Sequence, residues 1–338
     1  MAALFPVTHS TPCTKALLSR IMPDYDGGVA VGCRLLMHGL NDTFEVRTAD
    51  HRYILRVYRS GWRTPDDIGY ELDLLNHLGR KGFPASVPVL RRDGSYLQEL
   101  CFPEGKRYAV LFTYAEGKEV YCNKEGEESN AELYGRSAAR MHLALEDFAS
   151  PNLRFPLDME HLLDEPLTAA LSLLGHRPED AAYLLRLADR LRQAVADLPM
   201  EGLERTACFG DFHGGNAHLS DDGILTFFDF DCGGPGWTAY DVGVYRWSAK
   251  LGGDEKETRW NAFLKGYTEH RTLEELDLQA TTYFVPIRHI WLMGLHAANG
   301  FDWGYGWLDD GYLDRFIGFL REWEGRYPGG FGPVQPVD

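Results

Sequence analysis

Short apolar runs broken by turn residues fill the first third of the chain. Residues 29–37, 43–48 and 53–58 are rich in β-branched and aromatic side chains. Between them, His38-Gly39-Leu40-Asn41-Asp42 and Ala49-Asp50-His51 suit hairpin turns. The period then changes. Ile68, Leu72, Leu75 and Leu78 recur at helical spacing, with Thr64 as cap, Pro65 in the first position and Asp66 and Asp67 in the first turn. Gly79 and Gly82 end that helix. Two more strand-like runs follow at 87–90 and 108–114. Beyond Ala115-Glu116-Gly117 the pattern is helical: Tyr134, Ala138, Met141 and Leu145 share one face, and Leu184, Leu187, Leu191 and Val195 another. A β-like stretch at 207–231 interrupts the helices, and strongly aromatic helical sequence completes the chain. The pattern predicts an α+β fold of two lobes, a small β-rich one over 1–113 and a large, mainly helical one over 114–338.

Charge narrows the function. Against 34 Lys and Arg stand 50 Asp and Glu, a net −16 over 338 residues, which argues against a partner rich in phosphates or an anionic membrane surface. The six cysteines (Cys13, Cys33, Cys101, Cys122, Cys208, Cys232) form no C-x-x-C pair, so neither a zinc pattern nor a disulfide framework is expected. Residues 1–12 lack the basic and apolar regions of a signal peptide, and no apolar run is long enough to cross a bilayer. A cytoplasmic location is expected.

The stretch that carries chemistry is Phe209-Gly210-Asp211-Phe212-His213-Gly214-Gly215-Asn216, followed by Phe227-Phe228-Asp229-Phe230-Asp231. Phosphoryl transfer to an alcohol needs a carboxylate to take or orient the hydroxyl proton, and oxygen ligands to hold Mg²⁺ on the phosphates. Asp211 and Asn216, on one glycine-containing loop, can supply the base and one ligand; Asp229, at the end of an apolar strand, can supply the second. Turn-forming Asx residues would explain either piece alone, but not both together in a helical lobe. The Gly-Asp-x-His-Gly string also opens a metallophosphatase site, yet the downstream G-D-x-x-D and G-N-H-[DE] strings of that class are missing.

The two stretches resemble the catalytic and metal motifs of the aminoglycoside-phosphotransferase and choline-kinase superfamily, H-G-D-x-H-x-x-N and [IV]-D-[FW]. The nearest likeness is to the homoserine-kinase type II and stress-response kinase A branch. Tyr53-Ile54-Leu55-Arg56-Val57-Tyr58-Arg59, Gly234-Pro235-Gly236-Trp237 and Phe263-Leu264-Lys265-Gly266-Tyr267 extend it from about Val29 to Trp323. The resemblance implies a bilobal protein-kinase-like fold with the N-terminal lobe binding nucleotide. It implies ATP and Mg²⁺ as cofactors and a small-molecule hydroxyl as acceptor. It makes Asp211 the catalytic residue, Asn216 and Asp229 the metal ligands, and Arg56 the phosphate contact. Asn41 lies in the turn closing over the phosphates, and Phe112 and Tyr114 lie in the connector that receives adenine through backbone groups. Two departures stand out: Phe209 replaces the family's His, and Arg56 its Lys.

Glu71 adds a reading independent of the motif. At 100° per residue it falls inside the apolar stripe of its helix, between Leu75 and Leu78, where a carboxylate needs a cation, and Arg56 on the third strand is the available one. His213 is read as a loop organiser, His142 as a core histidine and Asp241 as a brace of the catalytic loop. For the acceptor, the loop-like aromatic and acidic segment at 299–314, with Asp302 and Trp303, suits an ammonium group, whereas Arg288 suits a carboxylate. A stress-response-type protein kinase and a kinase-shaped binding protein without activity remain open, as do the acceptor and the oligomeric state.

Overall fold

The structure, a computed structural model, describes residues 5–120, 126–254 and 256–327. Cys122 lies outside them; the other five cysteines are free thiols. The chain divides into two compact units. The first comprises Met1–Lys118, Asp147–Arg154 and Ala217–Asp231, and the second Glu119–Glu146, Phe155–Asn216 and Cys232–Asp338. Unlike a single cut at 113, this division gives the hairpin that carries Asp229 to the first unit.

The first unit is built on an antiparallel sheet of β1 (Ala30–His38), β2 (Asn41–Thr48), β3 (Arg52–Tyr58), β4 (Gln98–Phe102) and β5 (Gly105–Thr113), in the order β1-β2-β3-β5-β4. Alternation of side chains gives the sheet two chemically distinct faces. Phe44, Val46, Leu55, Val57, Ala109 and Leu111 bury one face with Leu17 of a short helix, α1 (Thr14–Arg20), which the sequence pattern did not announce. The other face carries Arg56, which bonds Glu71 of α2 (Pro65–Arg80). The α2 start is fixed as its sequence requires. Thr64 Oγ1 accepts from the Asp67 amide at 3.1 Å, and Asp67 Oδ2 accepts from the Thr64 amide at 3.0 Å.

The expected strand at 87–90 does not form. Val89 N donates to Leu111 O and Thr113 N to Val87 O, and the pairing with β5 stops at the single bridge between Pro88 and Phe112. Residues Ala217–Leu219 and Leu225–Phe227 make a small hairpin in the same unit.

The second unit is helical. Its helices are α3 (Glu127–Leu145), α4 (Glu165–Leu171), α5 (Pro178–Ala196), α6 (Thr238–Leu251), α7 (Thr258–Thr268), α8 (Glu275–Trp303) and α9 (Asp310–Gly325). α3 packs along α7, and α4 and α6 along α8. The faces read from sequence are the buried ones: Tyr134, Ala138, Met141 and Leu145 on α3, and Leu184, Leu187, Leu191 and Val195 on α5. Arg205–Cys208 and Gly234–Trp237 pair antiparallel and bracket the catalytic motif. Residues 299–303, expected to be loop, instead continue α8. Gly300 is needed there for close approach: a Cβ would come within 2.7 Å of the Tyr305 ring. Among the described residues, no helix is long and apolar enough to cross a membrane.

Candidate active site

The motif loop in the second unit is held by its backbone. Phe209 N and Gly210 N donate to the two carboxylate oxygens of Asp241 at 2.7 and 2.8 Å, and His142 Nε2 lies 3.3 Å from the same carboxylate. Tyr134 donates its hydroxyl to His213 O at 2.9 Å. Gly210 has φ 78°, and a Cβ there would lie 2.2 Å from Cys232 O, so no other residue fits. The Phe209 ring is fully buried, edge-on to Phe212 at 5.5 Å. The missing histidine therefore leaves the loop anchored through Asp241, with Phe209 filling the core beneath it.

On this loop Asp211 collects three partners. Arg288 of α8 bonds Oδ1 through its Nη2, and Asn216 Nδ2 donates to Oδ2 at 3.1 Å and to the Asp211 carbonyl at 3.0 Å. His213 Nδ1 accepts from Gly215 N at 3.1 Å, which places the ring proton on Nε2, 3.4 Å from Asp211 Oδ2. Burial alone would push the Asp211 carboxyl up. The Arg288 guanidinium, then His213 and Asn216, outweigh burial and hold it well below the usual carboxylate range. The group is ionised throughout the physiological range and its side chain keeps 19% exposure, so it can receive a hydroxyl hydrogen. Arg288 itself is 2% exposed, its guanidinium over the rings of Trp291 at 4.2 Å and Trp247 at 5.2 Å.

That placement carries a testable consequence. Arg288→Gln removes the charge that depresses Asp211. For a carboxylate that acts as a base, a higher pKa moves the acid limb of kcat/KM to higher pH, by about 1–3 units. The pH dependence of kcat/KM measures the shift; an unmoved limb contradicts the role given to Arg288.

The first unit holds the other half of the predicted set. Arg56 Nη1 donates to Glu71 Oε1 at 2.7 Å, and Tyr58 OH to Glu71 Oε2 at 2.7 Å, so the carboxylate on the buried stripe meets the expected cation. Arg56 Nη2 donates to Asp229 Oδ1 at 2.9 Å. Asp229 is 43% exposed at its side chain and sits at φ 68°, a left-handed conformation costing a non-glycine residue about 1–3 kcal/mol. Asn41 opens β2 and donates Nδ2 to Asp231 Oδ2 at 2.6 Å. Phe112 lies in β5 opposite Ile54, its neighbours bonding outward to Val87 and Val89, so its own backbone faces β3. Its ring lies 5.1 Å from the Arg56 guanidinium. The Tyr114 ring lies under Arg52 at 4.0 Å.

Residues 34–276 match the family model described as "Phosphotransferase enzyme family" (APH). The chain belongs to this phosphotransferase family. Homoserine kinase of Granulibacter bethesdensis is 27% identical over 279 residues, 80% of this chain and 82% of that protein. Among solved structures, the microcompartment-associated aminopropanol kinase is similar at TM-score 0.73 and 24% identity, covering 95% of this chain and 98% of that one. Amicoumacin kinase hAmiN, solved with AMP-PNP, Ca²⁺ and Ami, is similar at TM-score 0.72 and 20% identity, covering 95% and 93%. These likenesses show the protein-kinase-like fold, with a small β-rich N-lobe and a large helical C-lobe.

One residue of this family member escaped the motif reading. Asp231, 3% exposed, accepts from Asn41 and from Trp62 Nε1 at 3.1 Å, while its carbonyl accepts from Arg63 Nε at 3.0 Å and from Arg154. Burial would raise its carboxyl, but Arg63 and Arg56, with Asn41 and Trp62, lower it to about 2. Its folded pKa lies below the unfolded one, so its stabilisation is present above roughly pH 4 and fades as pH falls toward about 2. The signal for it was a second carboxylate in Phe228-Asp229-Phe230-Asp231, which burial among aromatics forces to be paired. Asp302 and Trp303 are not brought to Asp211. They end the helix on which Arg288 lies, and Trp303 packs 6.5 Å from His296.

Proposed function

We propose that this chain transfers a phosphoryl group from ATP, with Mg²⁺, to a hydroxyl of a small amine-bearing molecule in the cytoplasm. The observation that carries the reading is Asp211: ionised, partly open, and fixed by Asn216, His213 and Arg288 on a loop braced by Asp241. Asp211 would orient the acceptor hydroxyl and take its proton as the new P–O bond forms and the γ-phosphorus–oxygen bond to the leaving ADP breaks.

The donor set fits a hard cation. Asn216 spends its Nδ2 on Asp211, which leaves Oδ1 to a metal, and Asp229 offers a half-exposed carboxylate. When bound, Mg²⁺-ATP supplies the phosphoryl group and the metal offsets its charge. Arg56, fixed by Glu71, is the phosphate contact, and Asn41 holds the β1–β2 turn that covers the phosphates. AMP-PNP and Ca²⁺ in the amicoumacin kinase support a nucleotide and a divalent metal. Asn216→Ala and Asp229→Ala are each expected to raise the Mg²⁺ concentration needed for half-maximal activity at least tenfold. Titration of activity against Mg²⁺ checks this, and an unchanged requirement in both variants removes them as ligands.

The acceptors named in homoserine kinase and aminopropanol kinase both carry an amine beside a hydroxyl, and a net charge of −16 favours a cation. Helix α8 then separates two kinds of acceptor. Asp302 and Trp303 follow Arg288 by 14 and 15 residues, roughly 21 Å along the helix at 1.5 Å per residue. They can meet the far amine of an extended amino sugar but not that of a short amino alcohol. Asp302→Asn and Trp303→Ala therefore raise KM for an aminoglycoside and leave KM for an aminopropanol-like acceptor unchanged. A Mg-ATP screen of amino alcohols, aminoglycosides, sugars and homoserine, scored by phosphorylated product, tests the class; activity only on neutral alcohols contradicts it.

A further inference from the structure

Because strand neighbours face opposite ways, Asn41 and the next residue, Asp42, serve opposite faces of the sheet. Asn41 bonds Asp231, whereas Asp42 is fully buried and receives two histidines from the other side. His38, its cross-strand partner, places Nδ1 2.6 Å from Oδ1; His9, from the segment before α1, places Nε2 3.3 Å from Oδ2. The two imidazoles meet edge to face at 4.3 Å. Among the described residues this is the one trio of such side chains whose ligand atoms all lie within 4.8 Å of one another.

We propose that His9, His38 and Asp42 form a binding site for a transition-metal dication of the zinc class, separate from the nucleotide metal. Two imidazoles and a carboxylate are a ligand set such ions take, and ligands on a tetrahedral ion with bonds of about 2.0–2.1 Å stand about 3.3 Å apart. His38 Nδ1 stands 2.6 Å from Oδ1, so these two atoms part by about 0.7 Å when both ligate one ion. His9 Nε2 is buried, without a well-formed hydrogen bond, and faces the Asp42 carboxylate at 3.3 Å. The His38 ring, 43% exposed at its side chain, leaves an approach from solvent and room for a water as fourth ligand.

Arg107 is the group that opposes a cation here. It donates to Asp42 Oδ2 at 2.6 Å, leaving Oδ1 for the metal. Its charge is shared with Glu104, 3.6 Å away and 4% exposed, which also binds Ser10 beside His9. Two neutral imidazoles with these two carboxylates and one guanidinium sum to −1, so a dication brings the cluster to +1 and not to an accumulation of positive charge. On binding, the Nδ1 proton of His38 moves to its outward Nε2. The metal would then staple residues 5–13 to the β1–β2 turn, the turn that Asn41 also holds.

The test is titration of the metal-stripped full chain with Co²⁺, followed by visible absorption and by paramagnetically shifted imidazole resonances. The proposal expects one equivalent with resonances from two histidines, competed by Zn²⁺. It expects affinity reduced at least tenfold in His9→Gln and in His38→Gln, and unchanged in Asp229→Asn. The resonances of the unsubstituted protein decide the matter even where a variant misfolds. No stoichiometric binding, no shifted histidine signals, or binding lost in Asp229→Asn but kept in both histidine variants would overturn it and leave the trio as partners of the Arg107–Asp42 pair.

Discussion

Asp211→Asn lowers kcat by about 100- to 10,000-fold while KM for ATP stays within about twofold. Asn keeps the shape of Asp211 and can still accept from Asn216, but it cannot take the acceptor's proton. It also leaves Arg288, 2% exposed, without its counter-charge. Loss of a buried partner costs several kcal/mol when complete; part exposure of Asp211 reduces that, so the variant is expected to fold with a lower Tm. Steady-state kinetics with nucleotide binding measured separately resolves the two effects. A variant that retains most of its turnover makes Asp211 a turn residue and nothing more.

Arg56→Ala is expected to cost about 3–5 kcal/mol of stability and to raise KM for ATP at least tenfold. The cost arises from what is left behind. Glu71, 2% exposed, keeps the Tyr58 hydroxyl but loses its guanidinium partner, and Asp229 loses the guanidinium beside its left-handed backbone. Burial lowers the Arg56 pKa, but Glu71 and Asp229 outweigh it and hold the group well above its usual value. Urea unfolding of Arg56→Ala, Glu71→Gln and the double variant measures the coupling directly. A coupling of about 1–3 kcal/mol is expected; none at all would show that the two side chains are neighbours without dependence.

Much of this arrangement was legible because local chemistry and tertiary packing agree. Thr64, Pro65 and Asp67 announce the start of α2, and the pattern of α3 and α5 names the faces that are buried. Glu71 could be paired with Arg56 before any coordinates because a carboxylate on an apolar stripe has few acceptable partners. What stayed hidden depended on contacts distant in sequence. Asp231 gains meaning from partners such as Asn41 and Trp62, 190 and 169 residues away. The strand-like run at 87–90 reaches β5 through only two backbone bonds, which no local pattern encodes. Arg288 read as a contact for an acceptor carboxylate, whereas the structure spends it on Asp211, a use that no spacing along α8 encodes. The aromatic segment read as loop through residue 303 because its glycines weigh against helix, yet Gly300 is there for the approach of Tyr305 and Leu308.

The central claim, that Asp211 drives phosphoryl transfer from ATP to an amine-bearing alcohol, is tested most directly by following phosphorus. Wild-type protein and Asp211→Asn would be incubated with Mg-ATP and each acceptor, and ³¹P NMR read for a new phosphate monoester. The account predicts a monoester with at least one amine-bearing alcohol, stoichiometric with ADP, and none above background for Asp211→Asn. Monoester formed equally by both proteins, or ATP consumed by neither with any acceptor in the panel, would contradict it.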